Sequence, residues 1–356
     1  MPVIIIGGGP AGAATALQLL RQGYECIILE ASAAPIRKPG ETIPPQAYSL
    51  FKKSGLETLL QHPAHLTCHG NRFVWGSQTP TDKSFFANTV AQGWHLSREI
   101  FETQLANHVI QCGGQYLHGC SMTTIKYMND NWSVSYADAQ KEIQTITASF
   151  IVDATGRKSR VARQMGIQRK VMDKLAGVTA CVTLPQHIQQ FTYLEAVADG
   201  WWYAAPLSAQ QLVLSFMTDT DLIPEQLRSA KALLDAATTT TLIASVIHDS
   251  TPTTTNVTVA SAATGYLSQR TGQQWLAVGD AAFSYDPISS YGITSALDGG
   301  YYAGHAIAEY LKGDADALTA YDWAISTAFS TYMKMLIGQY NLEKRWSNSP
   351  FWSRRN

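Results

Sequence analysis

Val3-Ile4-Ile5-Ile6-Gly7-Gly8-Gly9-Pro10-Ala11-Gly12 opens the chain, and this stretch decides the fold. The β-branched run predicts a short buried strand, the glycines a turn, and the alanine- and leucine-rich stretch to Gly23 a helix. Glu25-Cys26-Ile27-Ile28-Leu29-Glu30 predicts a second strand closed by an acid. In that order each glycine has a task. Gly7 allows the tight turn, Gly9 lets backbone approach a pyrophosphate, and Gly12 lets the helix pack close to the strand. Unpaired N–H groups at the helix start, around Pro10 and Ala11, face the phosphates, where the helix dipole favours negative charge. Glu30, followed by Ala31, is placed to accept hydrogen bonds from a ribose hydroxyl pair. The stretch predicts a dinucleotide site.

Length and composition bound the rest. A chain of 356 residues has room for one large or two interleaved domains. With 46% hydrophobic and 15% charged residues, it suits a well-buried globular protein. A net charge of -1 leaves no electrostatic footprint for nucleic acid or an anionic membrane. Cys26, Cys68, Cys112, Cys120 and Cys181 are odd in number and lack metal spacing, so no metal is expected and a reducing compartment is the simplest inference. No basic region precedes the first apolar run, and no apolar stretch suffices to span a bilayer. A cytoplasmic protein with no signal peptide and no membrane span is expected.

Further along, the prolines of residues 31–45 predict a rigid extended loop, in which Arg37 and Lys38 either serve a phosphate or are solvated charges. Residues 46–60 have helical spacing, 66–90 hold short strands, and Ser97 is a candidate N-cap for a helix to about Cys112. Thr123 to Phe150 predicts a meander turning at Asn129-Asp130-Asn131, and its last strand runs into Asp153-Ala154-Thr155-Gly156. From Leu175 to Met217 four strand-like runs follow with no helical pattern between them, which predicts an antiparallel sheet. Pro224 to Ala237 predicts a helix, and Thr238 to Thr258 is part helix, part loop. Trp275-Leu276-Ala277-Val278 is another short buried strand, ending in Gly279-Asp280-Ala281-Ala282; a helix is expected from Thr294 to Leu311, and one or two aromatic-rich helices from Leu318 to Trp346.

Three motifs together carry a resemblance: the glycine turn with Glu30, Asp153-Ala154-Thr155-Gly156-Arg157-Lys158-Ser159, and Gly279-Asp280-Ala281-Ala282 with Asp286-Pro287 and Gly292. In this order they resemble the two-dinucleotide-binding-domain flavoproteins related to the aromatic hydroxylases and flavin-dependent halogenases. The resemblance implies FAD as cofactor, Asp280 on its ribityl chain, and the helix near Gly292 and Ile293 pointing its N-terminus at the flavin's pyrimidine edge. A reduced flavin carries negative charge there, which a helix N-terminus stabilises. Arg98 matches an arginine lying along the cofactor in relatives, and Asp153 and Gly156 belong to the second motif. The implied fold class is α/β, with an FAD-binding Rossmann-like domain (1–65, 92–165 and 265–315), an inserted mainly antiparallel β-sheet substrate domain (66–91 and 166–264), and C-terminal helices (316–356).

Finer features divide the relatives. Gly40-Glu41-Thr42-Ile43-Pro44-Pro45 resembles a halogenase loop, but the stretch at residues 65–71 has no lysine to hold hypohalous acid, which disfavours halogenation. Gly93-Trp94-His95-Leu96, Gly200-Trp201-Trp202-Tyr203 and the segment from Glu343 to Trp352 look most like the flavoproteins encoded beside tryptophylquinone-bearing amino-acid oxidases. That resemblance implies a monooxygenase that uses O₂ to oxygenate a tryptophan of an oxidase precursor during cysteine tryptophylquinone biogenesis. Electrons would come from NAD(P)H or a separate reductase. Ser290-Tyr291 departs from the Gly-Gln usual in the wider family. Trp201, Trp202, Tyr203 and Tyr291 are candidates to hold a substrate ring, or plain core. His69 and His95 are candidate proton-transfer groups, or structural. A small-molecule hydroxylase, an isoprenoid reductase and a non-catalytic maturation chaperone remain as alternatives.

Overall fold

The computed structural model describes residues 1–35, 41–86 and 92–355. Val3–Ile6 forms the middle of a six-stranded sheet, ordered Thr271–Gly272, Trp275–Ala277, Phe150–Asp153, Val3–Ile6, Cys26–Glu30, Gln115–His118. All neighbours are parallel except the Thr271–Gly272 edge. The Val3–Ile6 run is apolar throughout because both faces of the sheet are covered. Ile6 pairs with Asp153, and Asp153 with Ala277. The three motifs therefore lie side by side at the carboxyl ends of three adjacent parallel strands, where open α/β sheets bind their ligands.

Helices Pro10–Arg21 and Gly292–Leu311 cover one face. Their backbones nearly touch: a Cβ on Gly300 would lie 2.5 Å from the Ala11 carbonyl oxygen, and one on Gly304 2.6 Å from Gln18 Cβ. This packing, which only glycine permits, fixes the second helix directly against the first.

The second layer is a larger sheet, ordered Thr251–Pro252, Leu175–Thr183, Gln211–Asp219, Gly200–Ser208, Phe191–Val197, Gly70–Val74, Thr81–Ser84. Edge strand Thr258–Ser261 also pairs with Leu175–Thr183. Every pairing is antiparallel but that of Phe191–Val197 with Gly70–Val74, which joins the Gly70–Val74 and Thr81–Ser84 hairpin to the later strands. Alternation sorts the faces. Val178, Trp202, Leu214 and Phe216 pack beneath helices Ala230–Ala237 and Leu242–Val246. Gly177, Thr179, Ser215, Met217 and Tyr203 turn the other way. Strands Ser121–Met128, Asn131–Ala137 and Ile143–Ala148 make the expected meander.

Several local expectations fail for identifiable reasons. The helix over 46–60 breaks at Ser54-Gly55, where Gly55 has φ +61°, leaving Tyr48–Lys53 and a turn of 3₁₀ helix at Glu57–Gln61. Within the expected loop of 31–45, Thr42–Ile43 pairs with Trp94-His95 as a strand, while residues 36–40 lie outside those described. Ser97 occupies the N-cap of Arg98–Gln111, but its side chain makes no capping bond; its N–H donates to His65 Nδ1 instead. The helix predicted from Pro224 begins only at Ala230, capped by the Ser229 hydroxyl. The helix expected from Thr294 begins at Gly292. Of the one or two helices expected from Leu318 to Trp346 the chain forms one, Ala317–Asn341, which stops short of Trp346. Cys26 is buried as expected, its thiol pushed up to about 12 chiefly by burial. Among the described residues all five cysteines are free, none cluster for a metal, and no helix is long and apolar enough to cross a membrane.

Candidate active site: a cofactor cradle and the cavity behind it

The glycine turn behaves as its spacing predicts. Gly7 has φ +106°, and an added Cβ would sit 2.2 Å from the Ala154 carbonyl oxygen; on Gly12 it would sit 2.0 Å from the Gly7 oxygen. On Gly9 it would meet no protein atom within 4 Å. Gly7 and Gly12 are therefore required by the fold, whereas the room beside Gly9 is left for a ligand. Glu30 closes the turn, its carboxylate accepting from Gly8 N–H and Ser32 N–H at 2.8 Å each. Ala31 is exposed beside it.

Both helices that start here, Pro10–Arg21 and Gly292–Leu311, lack a side-chain cap, so their first N–H groups keep their positive ends for an anion. They face a common cavity of about 390 Å³. Gly9, Pro10, Ala11, Arg98, Gly156, Asp280, Gly292 and Ile293 line it, as does Tyr203. These predicted residues come together. Arg37 lies outside the described residues.

Asp153 does not reach the cavity. It is fully buried and accepts from the Thr155 hydroxyl and N–H and from Ala162 N–H, at 2.6, 3.1 and 3.0 Å. Its work is to hold the D-x-x-G turn against the following helix. Burial pushes its pKa up, and these donors oppose the shift. Asp280 does look into the cavity, one third exposed, with Arg157 Nε 3.2 Å from its carboxylate. Enclosure raises its pKa, against the pull of Arg157, Arg169 and Arg98. Arg98 pairs with Glu102 at 2.6 Å.

The substrate candidates divide. Tyr203 lines the cavity, its hydroxyl 3.0 Å from Thr42 Oγ1. Trp201 points to the same side but is sealed under the C-terminal segment, its Nε1–H donating to the Tyr340 hydroxyl and its ring edge-on to Trp75. Trp202 faces away, against Phe216. Tyr291 is exposed at the N-cap of the second helix and does not line the cavity. Neither histidine lines it. His69 stacks on Phe86. His95 is buried, its Nε2 3.1 Å from Thr192 Oγ1, and burial with His69 nearby drives its pKa down to about 3. At neutral pH it is an uncharged member of a network and no proton donor to the cavity.

Sequence reasoning missed Arg169 altogether. Its guanidinium reaches the Asp280 and Ala281 carbonyls, Ser159 Oγ and Ser284 Oγ, clamping the second motif to the third. No local signal marks it, since its partners are more than a hundred residues away or hidden in another turn. Asp286 was legible only as part of Asp-Pro. It is buried on the cavity wall, and burial raises its pKa to about 6 against the hydrogen bonds from Ile288 N–H and Tyr340 OH.

The residues fit FAD. Gly9, Pro10 and Ala11 would hold its pyrophosphate, Asp280 its ribityl hydroxyls, and the Gly292–Ile293 amides the edge of the flavin where charge accumulates on reduction.

Comparison with known proteins agrees. A family described as "FAD binding domain" matches residues 1–324. LodB of Marinomonas mediterranea, provisionally called an FAD-dependent oxidoreductase, is 29% identical over 99% of this chain and 96% of its own length. The myxobacterial chondrochloren halogenase CndH superposes with a TM-score of 0.90 at 20% identity, covering 100% of this chain and 85% of its own. QhpG, a peptidyl tryptophan dihydroxylase essential for tryptophylquinone cofactor biogenesis, superposes with a TM-score of 0.80 at 21% identity, covering 99% and 78%. The strand-end motifs, the uncapped helices and the room beside Gly9 border one cavity, and the chain is a member of the FAD-binding-domain family of flavin-dependent oxidoreductases.

Proposed function

We propose that this flavoprotein is a monooxygenase that uses O₂ to oxygenate a tryptophan in the precursor of a partner oxidase, in the course of cysteine tryptophylquinone formation. The observation that carries this reading is the shape of the cavity mouth. Ala260 and Ser261 of the edge strand and Gly292 at the helix start line the cavity and are exposed, so it opens at the border between sheet and cofactor cradle. An open site admits a side chain still attached to a polypeptide, whereas a small-molecule hydroxylase encloses its substrate. The near full-length similarity to LodB and the fold shared with QhpG support the same direction. Among the described lining residues the only cations are Arg98 and Arg157, with no lysine of the kind halogenases require.

FAD supplies the oxygen-activating chemistry. The chain's own part is to hold an aromatic ring against it and keep the site dry. Pro10, Pro287, Ile293 and Met217 give apolar walls, and Gly177 and Ala260 leave a shallow floor on the sheet. Tyr203 is the proposed ring-holding residue, while Trp201 and Trp202 are packing. A reducing, cytoplasmic setting for both proteins fits the free cysteines. The test is mass spectrometry of the oxidase precursor co-expressed with and without this protein. Oxygen added to its tryptophan only in the presence of the flavoprotein is expected; an unchanged mass refutes the proposal.

A further inference from the structure

Behind the cavity wall runs a line of buried hydroxyls. Tyr203 OH lies 3.0 Å from Thr42 Oγ1, which lies 3.0 Å from Thr192 Oγ1, which lies 3.1 Å from His95 Nε2. Glu41 Oε2 lies 3.4 Å from the same Tyr203 hydroxyl, and Cys68 Sγ flanks Thr192 at 3.8 Å. All are at least nine-tenths buried, and of the six only Thr42 and Tyr203 line the cavity.

The line fixes where the tyrosine proton goes. Each hydroxyl carries one proton and must share it along the chain. If His95 Nε2 accepts, Thr192 donates to it, Thr42 to Thr192, and Tyr203 to Thr42. If His95 Nε2 donates, the chain runs the other way, Thr42 donates to Tyr203, and the tyrosine proton turns to the Glu41 carboxylate. In both directions that proton is engaged behind the wall. What the phenol offers the cavity is a lone pair.

We infer that Tyr203 is a specificity residue that accepts a hydrogen bond from the ring N–H of a heteroaromatic substrate, with Thr42 and Thr192 as positioning residues that hold it in the acceptor state. This deepens the proposed function, and rests on it, by naming the group through which an indole is recognised. A ring of the same shape without the N–H leaves the buried phenol oxygen unmatched, which is how polar sites discriminate more sharply than apolar ones.

The experiment compares indole with benzofuran, its isostere with oxygen in place of N–H, by calorimetric titration of the FAD-loaded protein, flavin content being measured for each variant. Wild type is expected to bind indole on the order of tenfold more tightly, the size of one hydrogen bond made or lost in a buried site. Tyr203→Phe is expected to bring the ratio to about one. Thr192→Val is expected to lower it while Tyr203 remains, and Thr192→Ser to restore it, which a merely structural role does not foresee. Equal affinity for the two rings in wild type, or no binding of either, overturns the inference, and needs no variant to fold. Equal affinity together with an oxygenated precursor tryptophan overturns it alone; the preference intact with an unchanged precursor supports it and sinks the functional reading instead.

Discussion

The Tyr340 hydroxyl donates to the Asp286 carboxylate at 2.8 Å, tying the cavity wall to the end of the long C-terminal helix. The two residues are 54 positions apart, and both are buried. Trp201 Nε1–H donates to the same tyrosine oxygen, so helix, sheet and cofactor-side loop meet at one phenol. Burial raises the Asp286 pKa from 3.8 to about 6, and Ile288 N–H and the phenol hold back a larger rise.

A pH dependence follows, and its sign is fixed by the direction of the shift. The folded state keeps the Asp286 proton to higher pH than the unfolded chain, so this group stabilises the fold fully below about pH 4. That contribution is lost as pH rises through about 6, with an amplitude on the order of 3 kcal/mol. Asp286→Asn is expected to lack this component. Urea denaturation of both proteins from pH 4 to 7 measures it: the stability difference should move in the variant's favour as pH rises, and a constant difference contradicts the assignment.

Glycine substitutions separate fold from cofactor. Gly9→Val places its side chain in the space left for the pyrophosphate, where a Cβ meets no protein atom within 4 Å. The expected product has wild-type circular dichroism but no flavin absorbance. Gly12→Val drives a Cβ to 2.0 Å from the Gly7 oxygen and is expected to give insoluble or unfolded protein. Stoichiometric FAD in Gly9→Val contradicts this geometry.

The C-terminus is held by charge. Asp219, 1% exposed, receives Arg354 at 2.7 Å and also binds the largely buried Arg355 guanidinium. Removing one partner of a buried pair strands the other, typically at about 3–5 kcal/mol. Asp219→Ala is expected to lose an amount of that order in chemical denaturation and to loosen Trp352 from Trp75, visible as a red shift in tryptophan emission. Lys174→Ala, in an exposed pair with Asp221, is expected to leave the denaturation midpoint nearly unchanged.

How far the sequence could lead depends on how local each signal is. The glycine turn, the meander and the strands from Leu175 to Met217 are set by neighbouring residues, and they stand where periodicity places them. That the three motifs share one sheet edge follows from their each ending a short buried strand. What was not legible depends on distant partners. Trp201, Trp202 and Tyr203 are consecutive, so alternation had to send Trp202 to the far face, but only the C-terminal segment's packing decides that Trp201 is sealed and Tyr203 is not. His95 carries no mark in the sequence of its burial against Thr192. Arg169 meets the cofactor loop only through tertiary contact.

Arg157 and Asp280 give the last prediction. Arg157 holds the Asp280 carboxylate at 3.2 Å and also donates to the Ala263 and Tyr285 carbonyls, so it both charges and positions the residue that would meet the ribityl chain. Asp280→Ala removes an ionised acceptor whose hydrogen bonds are worth about 1.5–3 kcal/mol, so FAD affinity should fall on the order of 10- to 100-fold. In Arg157→Met the carboxylate remains but loses its nearest cation. Its pKa, already raised by enclosure, then rises further. FAD affinity in that variant should therefore begin to weaken at a higher pH than in wild type as pH is lowered, because protonation removes the charged acceptor. Flavin fluorescence titrations from pH 5 to 8 distinguish the cases. A parallel loss at every pH would mean that Arg157 acts only through its carbonyl contacts, and not through the charge of Asp280.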